Sequence, residues 1–141
     1  MPDVMTPKHR HNCMSHIRSI NTKPELLVRQ ALWNRGFRYR LHVKELPGKP
    51  DIVLPKYKTA IFVNGCFWHG HEGCKDFVIP KSNTAFWYQK IMRNKKRDSQ
   101  DVVALISSGW RVITIWECEL KKESREKTID LLLQSLLTHN L

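Results

Sequence analysis

One short segment of the chain, residues 62–74, combines cysteines and histidines at a spacing that suits a metal ion. Two cysteines and one histidine of this segment form a complete ligand set with a cysteine that follows a distant apolar run: Cys66, His71, Cys74 and Cys118. Structural zinc is held by four nitrogen or sulfur ligands, and a full set leaves no open position for a substrate. We therefore predict a structural Zn²⁺ site. His69 and Cys13 are competing ligands, and burial as small apolar residues is the alternative role of Cys66 and Cys118.

A carboxylate at the start of a predicted strand is the first candidate for catalysis. Asp51 follows two prolines, in residues 47–50, that stiffen its approach, and it precedes an apolar run, so we expect it at the edge of a sheet. Mg²⁺ prefers one or two carboxylates together with water and phosphate oxygens. Glu25, at the margin of the apolar face of a predicted helix, is suited to be the second carboxylate. The alternative is that Asp51 is a turn residue and Glu25 only a helix cap.

His69 lies in the cysteine-rich loop but is surplus to the four zinc ligands. An imidazole close to a carboxylate-bound metal is a candidate general base for the activation of water. Asp98 interrupts the apolar stripe of a long predicted helix, which indicates a polar partner such as His69. The alternative for His69 is a surface position or a place among the zinc ligands.

Phe67 and Trp68 are two adjacent large aromatic residues in the same loop. Neighbouring side chains of an extended backbone point to opposite sides, so we expect that the two do not enter one core together. Apolar side chains inserted between base pairs unstack and kink DNA, and we predict this role for the pair. Packing in the core is the usual alternative for an aromatic residue, and we expect it for Phe86. Three basic residues on one face of the long helix suit phosphates: Lys90, Arg93 and Arg97.

The elements that position these residues follow from the sequence pattern. Thr22 and Glu25 form a capping box at the start of a helix that ends before Gly36. Helices are predicted at residues 23–35, 85–108 and 121–137, and strands at residues 37–43, 51–54, 59–63 and 110–116. Residues 1–20 are predicted to be a basic, flexible arm, and residues 21–141 a single domain. This order predicts an α/β protein with a central mixed sheet flanked by helices.

The charge of the chain favours a polyanionic partner. Among 141 residues, 24 are Lys or Arg and 13 are Asp or Glu, which gives a net charge of +11. Nucleic acid is the default partner of such a protein, although a basic binding module carries the same charge as an enzyme. The chain has no run of apolar residues long enough for a membrane span and no apolar signal core. We therefore expect an intracellular, cytoplasmic protein associated with the nucleoid, whose cysteines bind metal rather than form disulfides.

Seven features of the chain recur in the same order in one known family: residues 12–18, Glu25, and residues 46–51, 62–71, 86–87, 97–98 and 116–118. The chain resembles the very-short-patch-repair (Vsr) DNA mismatch endonucleases from about residue 3 to about residue 120. The resemblance implies a restriction-endonuclease-like fold and a Mg²⁺-dependent nick on the 5′ side of the thymine in a T:G mismatch of double-stranded DNA. Such mismatches arise by deamination of 5-methylcytosine. A monomeric enzyme that is functionally linked to a cytosine-5 DNA methyltransferase is therefore expected.

The resemblance also implies roles for single residues. Asp51 and the backbone carbonyl of Val63 would bind Mg²⁺, and His69, oriented by Asp98, would be the general base. Two residues would assist them: Glu25 and Asn64. Four residues would contact DNA, the first three as an intercalating wedge: Met14, Phe67, Trp68 and Trp87. The zinc ligands would be Cys66, His71, Cys74 and Cys118.

The chain departs from the family pattern at three positions. Asn64 stands where the family commonly has histidine, and Val63 stands where it has threonine. Cys74 lies one residue later than usual, so the zinc loop is slightly longer. Two alternatives to a mismatch enzyme are open at this point: a restriction-type endonuclease of the same fold that cuts intact duplex, and a non-catalytic DNA-binding module that contains zinc.

Overall fold

The computed structural model describes residues 21–138, which form three helices and one four-stranded sheet. The helices are α1 (Lys23–Asn34), α2 (Thr84–Ser107) and α3 (Arg125–Thr138). The strands are β1 (Arg40–Leu41), β2 (Ile52–Leu54), β3 (Thr59–Asn64) and β4 (Arg111–Trp116). The mixed α/β class predicted from the sequence is confirmed. In this described part, no helix has the length and apolarity needed to cross a membrane.

The first strand is shorter than the sequence pattern indicated. Of residues 37–43, only Arg40–Leu41 pair with a neighbouring strand. Phe37 instead turns into the core, where its ring centroid lies 5.3 Å from that of Tyr57. His42 ends the strand because its φ of 48° is left-handed rather than extended.

The last helix begins at Arg125 instead of residue 121. The residues before it form a 3₁₀ turn, Glu117–Leu120, in which the Glu119 side chain accepts the Trp116 N–H at 2.8 Å. This turn directs Leu120 into the core. It also holds Cys118 just beyond the end of β4, beside the cysteine-rich loop.

The order of strands in the sheet brings distant parts of the chain to one end of it. The order is β1–β2–β3–β4, with β3 and β4 parallel and the other two pairs antiparallel. Helix α2 connects the two parallel strands, as a parallel pair requires a crossover. The end of β1, the start of β2 and the ends of β3 and β4 therefore lie together. The residues at this end include His42, Asp51, Asn64, Cys66 and Cys118.

The hydrophobic core lies between one face of the sheet and helices α1 and α3. Successive side chains of a strand alternate between the two faces, so every second strand residue enters this core. The buried residues that form it come from α1, the strands and α3: Val28, Leu32, Ile52, Leu54, Ile61, Ile115, Leu132, Leu133 and Leu136. The other face, with Phe62 and Thr114, forms one wall of a pocket whose opposite wall is α2. The sheet thus lies between two layers of helices.

Candidate active site and metal centre

Asp51 lies directly before β2, which is an inner strand of the sheet, so the expected position at the sheet edge is wrong. The two flanking strands pair with β2 on both sides. The Asp51 Oδ2 atom accepts the backbone N–H of Val63, on β3, at 2.8 Å. Burial raises the pKa of Asp51 from 3.8 to about 6, the Val63 hydrogen bond opposes this rise, and the nearby charge of Glu25 adds to it. A carboxylate in such surroundings gains from a bound cation, which offsets the cost of its buried charge.

Glu25 is the second carboxylate of this acidic centre, and its side chain is 1% exposed. The expected cap is present, because the Thr22 side chain accepts the Glu25 N–H at 3.4 Å. The Glu25 carboxylate in turn accepts the backbone N–H of Asn21 at 3.2 Å and Nη1 of Arg29 at 3.1 Å. Glu25 is therefore both part of the helix start and a buried, partly neutralised charge that faces inward.

His42 is a member of the acidic centre that the sequence reasoning missed. Its Nε2 atom lies 2.9 Å from Oε2 of Glu25, and one ligand atom from each of Glu25, His42 and Asp51 lies within 4.8 Å of the others. The backbone N–H of His42 also donates to the carbonyl oxygen of Asp51 at 3.1 Å. A signal for it exists in the sequence: a histidine near the end of a predicted strand falls opposite Asp51 when that strand pairs with the next.

His69 and Asp98 form a pair across the gap between the cysteine-rich loop and α2. The Nδ1 atom of His69 lies 2.6 Å from Oδ2 of Asp98. Since a carboxylate accepts, this contact assigns the proton of the neutral ring to Nδ1 and leaves Nε2 free to take up another proton. The side chains are about equally half-buried.

A glycine and an asparagine hold the loop close enough to α2 for this pair to form. Gly70 has a φ of +60°, and a Cβ atom there would lie 2.8 Å from side-chain atoms of Ile91 and Lys95. The Asn94 side chain donates to the carbonyl oxygen of Trp68 at 2.8 Å. The loop therefore approaches the helix closely on the side of His69.

The His69–Asp98 pair opens into a pocket of about 610 Å³ between α2 and the sheet, and Asn64 lies in the same wall. Asp51 is not part of that wall, but it is close enough to His69 for the two to interact electrostatically. Burial raises the pKa of Asp51, and a positive charge on His69 lowers it. The arrangement brings a carboxylate that could bind a metal ion, an oriented imidazole and a pocket to one end of the sheet.

The four predicted zinc ligands form a second cluster at the same end of the sheet. One ligand atom from each of Cys66, His71, Cys74 and Cys118 lies within 4.8 Å of the others, whereas His69 is not a member. The Cys118 Sγ and His71 Nδ1 atoms are 3.4 Å apart, and the Cys118 N–H donates to Sγ of Cys66 at 3.4 Å. The competing ligand Cys13 lies outside the described residues. Three sulfur atoms and one imidazole nitrogen are a donor set that suits a tetrahedral metal ion.

The surroundings of the three thiols differ. Burial raises the pKa of the Cys66 thiol and that of Cys118. The backbone N–H of Asp76 instead lowers the pKa of Cys74. Buried thiols remain protonated unless a cation replaces the protons. The ring of Trp116 stacks on that of His71, with centroids 4.1 Å apart and planes 3° from parallel, which fixes the orientation of the imidazole.

Phe67 and Trp68 lie on the same side of the loop, so the expectation that they point to opposite sides is wrong. Their backbone forms turns rather than an extended strand, and their ring centroids are 5.1 Å apart. Trp87, at the start of α2, lies 5.6 Å from Phe67 and 5.9 Å from Trp68. Phe86 is 53% exposed, so its predicted packing in the core is also wrong. The three mutually packed rings form one half-buried aromatic cluster: Phe67, Trp68 and Trp87.

Positive charge lies beside this aromatic cluster. Nζ of Lys90 lies 5.5 Å from the ring of Trp68 and 5.9 Å from that of Trp87. Arg93 and Arg97 continue along the same helix and are exposed. Half-buried aromatic rings beside exposed cations are suited to a nucleic acid, whose bases stack and whose phosphates attract Lys and Arg. The predicted wedge residue Met14 lies outside the described residues.

Comparison with known proteins gives independent evidence on function. The model of a family described as DNA mismatch endonuclease Vsr matches residues 2–76. The type II nicking enzyme V.NmeAIP of Neisseria meningitidis serogroup A is 51% identical over 124 residues, which cover 88% of each chain. The type II nicking enzyme V.XorIIP of Xanthomonas oryzae pv. oryzae is 48% identical over 120 residues, which cover 85% of this chain and 88% of that enzyme. The chain belongs to the Vsr family of DNA mismatch endonucleases.

Another relative carries the family name itself. The DNA mismatch endonuclease Vsr of Escherichia coli strain K12 is 39% identical over 130 residues, which cover 92% of this chain and 81% of that enzyme. The Vsr family model spans Glu25, Asp51 and His69, whereas Asp98 and Cys118 lie after the matched part. Asp98 contacts His69 and Cys118 contacts His71, so both residues contact the part of the chain that the family model matches. Membership makes the chain a nuclease of the Vsr family, not a binding module of another kind.

Proposed function

We propose that this protein nicks double-stranded DNA on the 5′ side of the thymine in a T:G mismatch, in a Mg²⁺-dependent reaction. The observation that carries the proposal is the acidic centre with a half-buried Asp51 beside the oriented His69–Asp98 pair. Family membership supports the reaction class. The protein would act on deaminated 5-methylcytosine in very-short-patch repair, at the nucleoid in the cytoplasm, as a monomer linked in function to a cytosine-5 DNA methyltransferase.

The catalytic residues predicted from the sequence each have a role in this proposal. Asp51, with the backbone carbonyl of Val63, would hold Mg²⁺, and the fit rests on a half-buried carboxylate whose pKa partial burial raises to about 6. Mg²⁺ bound there would supply charge stabilisation to the attacked phosphate. His69 would take the proton of the attacking water at Nε2, while Asp98 keeps its ring in place. The remaining polar residues would assist: Glu25 and Asn64.

The aromatic cluster would provide the preference for a mismatch. Insertion of Phe67 and Trp68 between base pairs costs a few kcal/mol of lost base stacking. Contact of each exposed base with an aromatic face returns roughly 1–3 kcal/mol. Because these terms nearly cancel, the weaker stacking at a T:G pair would decide where the wedge enters. Trp87 packs against both rings from α2, and the remaining contacts would come from residues of α2 and the arm: Lys90, Arg93, Arg97 and Met14.

The Cys/His cluster would hold a structural Zn²⁺ that fixes the loop to the end of β4. His69, Phe67 and Trp68 lie within this loop, between Cys66 and the later ligands. A zinc there would therefore position both the base and the wedge. Residues 21–141 would form one endonuclease domain of restriction-endonuclease-like fold, with residues 1–20 as its DNA-contacting arm.

The test is nicking of end-labelled duplexes that differ only at one pair, T:G, C:G or T:A. Zinc-loaded protein in excess over DNA is mixed with Mg²⁺, and the length of the labelled fragment gives the position of the nick. We expect one nick 5′ to the mismatched thymine, none in the paired duplexes, and none with Asp51→Ala. Asp130→Ala, a matched change on the exposed side of α3, should nick as the wild type does. Equal cutting of the paired duplexes would instead identify a restriction-type enzyme.

A further inference from the structure

His42 lies in the acidic centre, yet the proposed reaction gives it no role. Its backbone has a φ of 48°, a left-handed conformation that costs energy for a residue with a side chain. Two contacts hold it there: its N–H donates to the carbonyl oxygen of Asp51, and its Nε2 atom meets Oε2 of Glu25. The strained residue is thus connected to the Glu25 carboxylate and to the backbone of Asp51.

The spacing of the donor atoms suits a divalent cation. Ligands at neighbouring corners of an octahedron lie about 3.0 Å apart when each is about 2.1 Å from the metal. His42 Nε2 and Glu25 Oε2 are 2.9 Å apart, and a ligand atom of Asp51 lies within 4.8 Å of both. Two carboxylates and one imidazole can therefore contact the same ion with small movements of their side chains.

We propose that His42 is the third side-chain ligand of a divalent-cation site with Glu25 and Asp51. An imidazole nitrogen suits later first-row metals, whereas Mg²⁺ prefers oxygen ligands alone. The site consequently binds Co²⁺ more tightly than Mg²⁺, and His42 is the source of the difference. The inference rests on the proposed metal site at Asp51, but not on mismatch recognition.

Arg29 does not prevent this binding. Its Nη1 atom contacts Oε2 of Glu25 at 3.1 Å, but it also donates to the side-chain oxygen of Asn21 at 2.7 Å. The guanidinium keeps this second acceptor when a metal takes its place on Glu25. Arg29 is also partly exposed, so its charge remains solvated after the exchange.

The experiment measures metal binding to zinc-loaded, tag-free protein without DNA. Calorimetric titrations with Mg²⁺ and with Co²⁺ give the ratio of the two dissociation constants. Proton NMR of the Co²⁺-loaded protein shows whether a histidine ring proton is shifted by direct contact with the paramagnetic ion. The variants are His42→Gln, which keeps a hydrogen-bond donor toward Glu25 but lacks the imidazole, His69→Gln as the matched control, and Asp51→Asn.

We expect His42→Gln to weaken Co²⁺ binding by about tenfold or more, to change Mg²⁺ binding much less, and to remove the shifted ring signal. The control His69→Gln should leave the ratio of the two constants unchanged, because an altered distant charge affects both ions alike. If His42→Gln weakens the binding of both ions equally, His42 only positions Glu25. If it changes the binding of neither ion, His42 is not part of the site. Either result overturns the inference. Unchanged binding in Asp51→Asn would overturn the metal site of the proposed function itself.

Discussion

The two candidate metal sites at one end of the sheet differ in how they are built. The Cys/His cluster takes three of its four ligands from one short loop, so local spacing almost defines it. The acidic centre takes Glu25, His42 and Asp51 from a helix, a strand end and a strand start, and only the fold unites them. Soft donors that fill every position suit a metal that holds structure, whereas buried carboxylates suit an ion that meets substrate. We infer a division between a structural and a catalytic centre.

The largest effect that separates the two centres is expected from Cys118→Ser. A structural zinc supplies folding free energy directly, of order 10 kcal/mol in small zinc domains, so loss of one ligand should prevent stable folding. Metal analysis and circular dichroism measure the result, with Cys13→Ser as a matched control that keeps one zinc per chain. Stable, active protein without zinc would contradict this role. Loss of zinc in His69→Ala alone would place His69 among the ligands.

The next effect concerns the acidic centre and should leave the fold intact. Asp51→Ala removes the proposed main metal ligand, and the loss of several kcal/mol of charge stabilisation corresponds to a fall in nicking rate of about a thousandfold or more. Single-turnover nicking measures this rate, while zinc content and DNA binding by fluorescence anisotropy should stay near the wild-type values. A variant that nicks at the wild-type rate in Mg²⁺ would remove Asp51 from the catalytic centre.

A smaller effect is expected from the aromatic cluster, of which Phe67 and Trp68 lie in the same loop as three of the Cys/His residues. Phe67→Ala or Trp68→Ala should lower the nicking rate at a T:G mismatch by about tenfold or more, because stacking on each ring is worth roughly 1–3 kcal/mol. The preference for T:G over paired duplex should also shrink, with zinc content unchanged. Trp33→Ala, a half-exposed tryptophan on α1, is the control. Unchanged rate and preference in both variants would show that the rings only pack against one another.

The smallest effect is on stability and depends on pH. In the folded protein burial raises the pKa of Asp51 from 3.8 to about 6, so the folded state binds more protons between these values. The free energy of unfolding therefore falls as the pH rises through this window. Without added Mg²⁺, Asp51→Asn should be more stable than the wild type near pH 7.5, by about 1–3 kcal/mol, and equally stable below about pH 4. Denaturant unfolding at both pH values tests the sign, and a less stable variant at pH 7.5 would contradict it.

The sequence predicted the residues of the Cys/His cluster and missed part of the acidic centre for a physical reason. Ligands that are close in the chain, such as Cys66 and His71, stay close in almost any fold of a short loop. His42 meets Asp51 only because β1 pairs with β2 in one register, which no local pattern fixes. The orientation of Phe67 and Trp68 was also not predicted, because the backbone forms turns there and we had assumed an extended segment. The limits of α1 were predicted better, because its cap, Thr22, acts locally.

The division between the two centres has one direct test: nicking of a T:G duplex by zinc-loaded protein as Mg²⁺ is removed and returned. A mild chelator that competes for Mg²⁺ but not for zinc in a full thiolate site should stop nicking completely. Zinc should remain at one per chain throughout. Return of Mg²⁺ should restore the full rate and the single nick at the thymine. Nicking that continues without Mg²⁺, or that returns only when Zn²⁺ is added, would contradict the account.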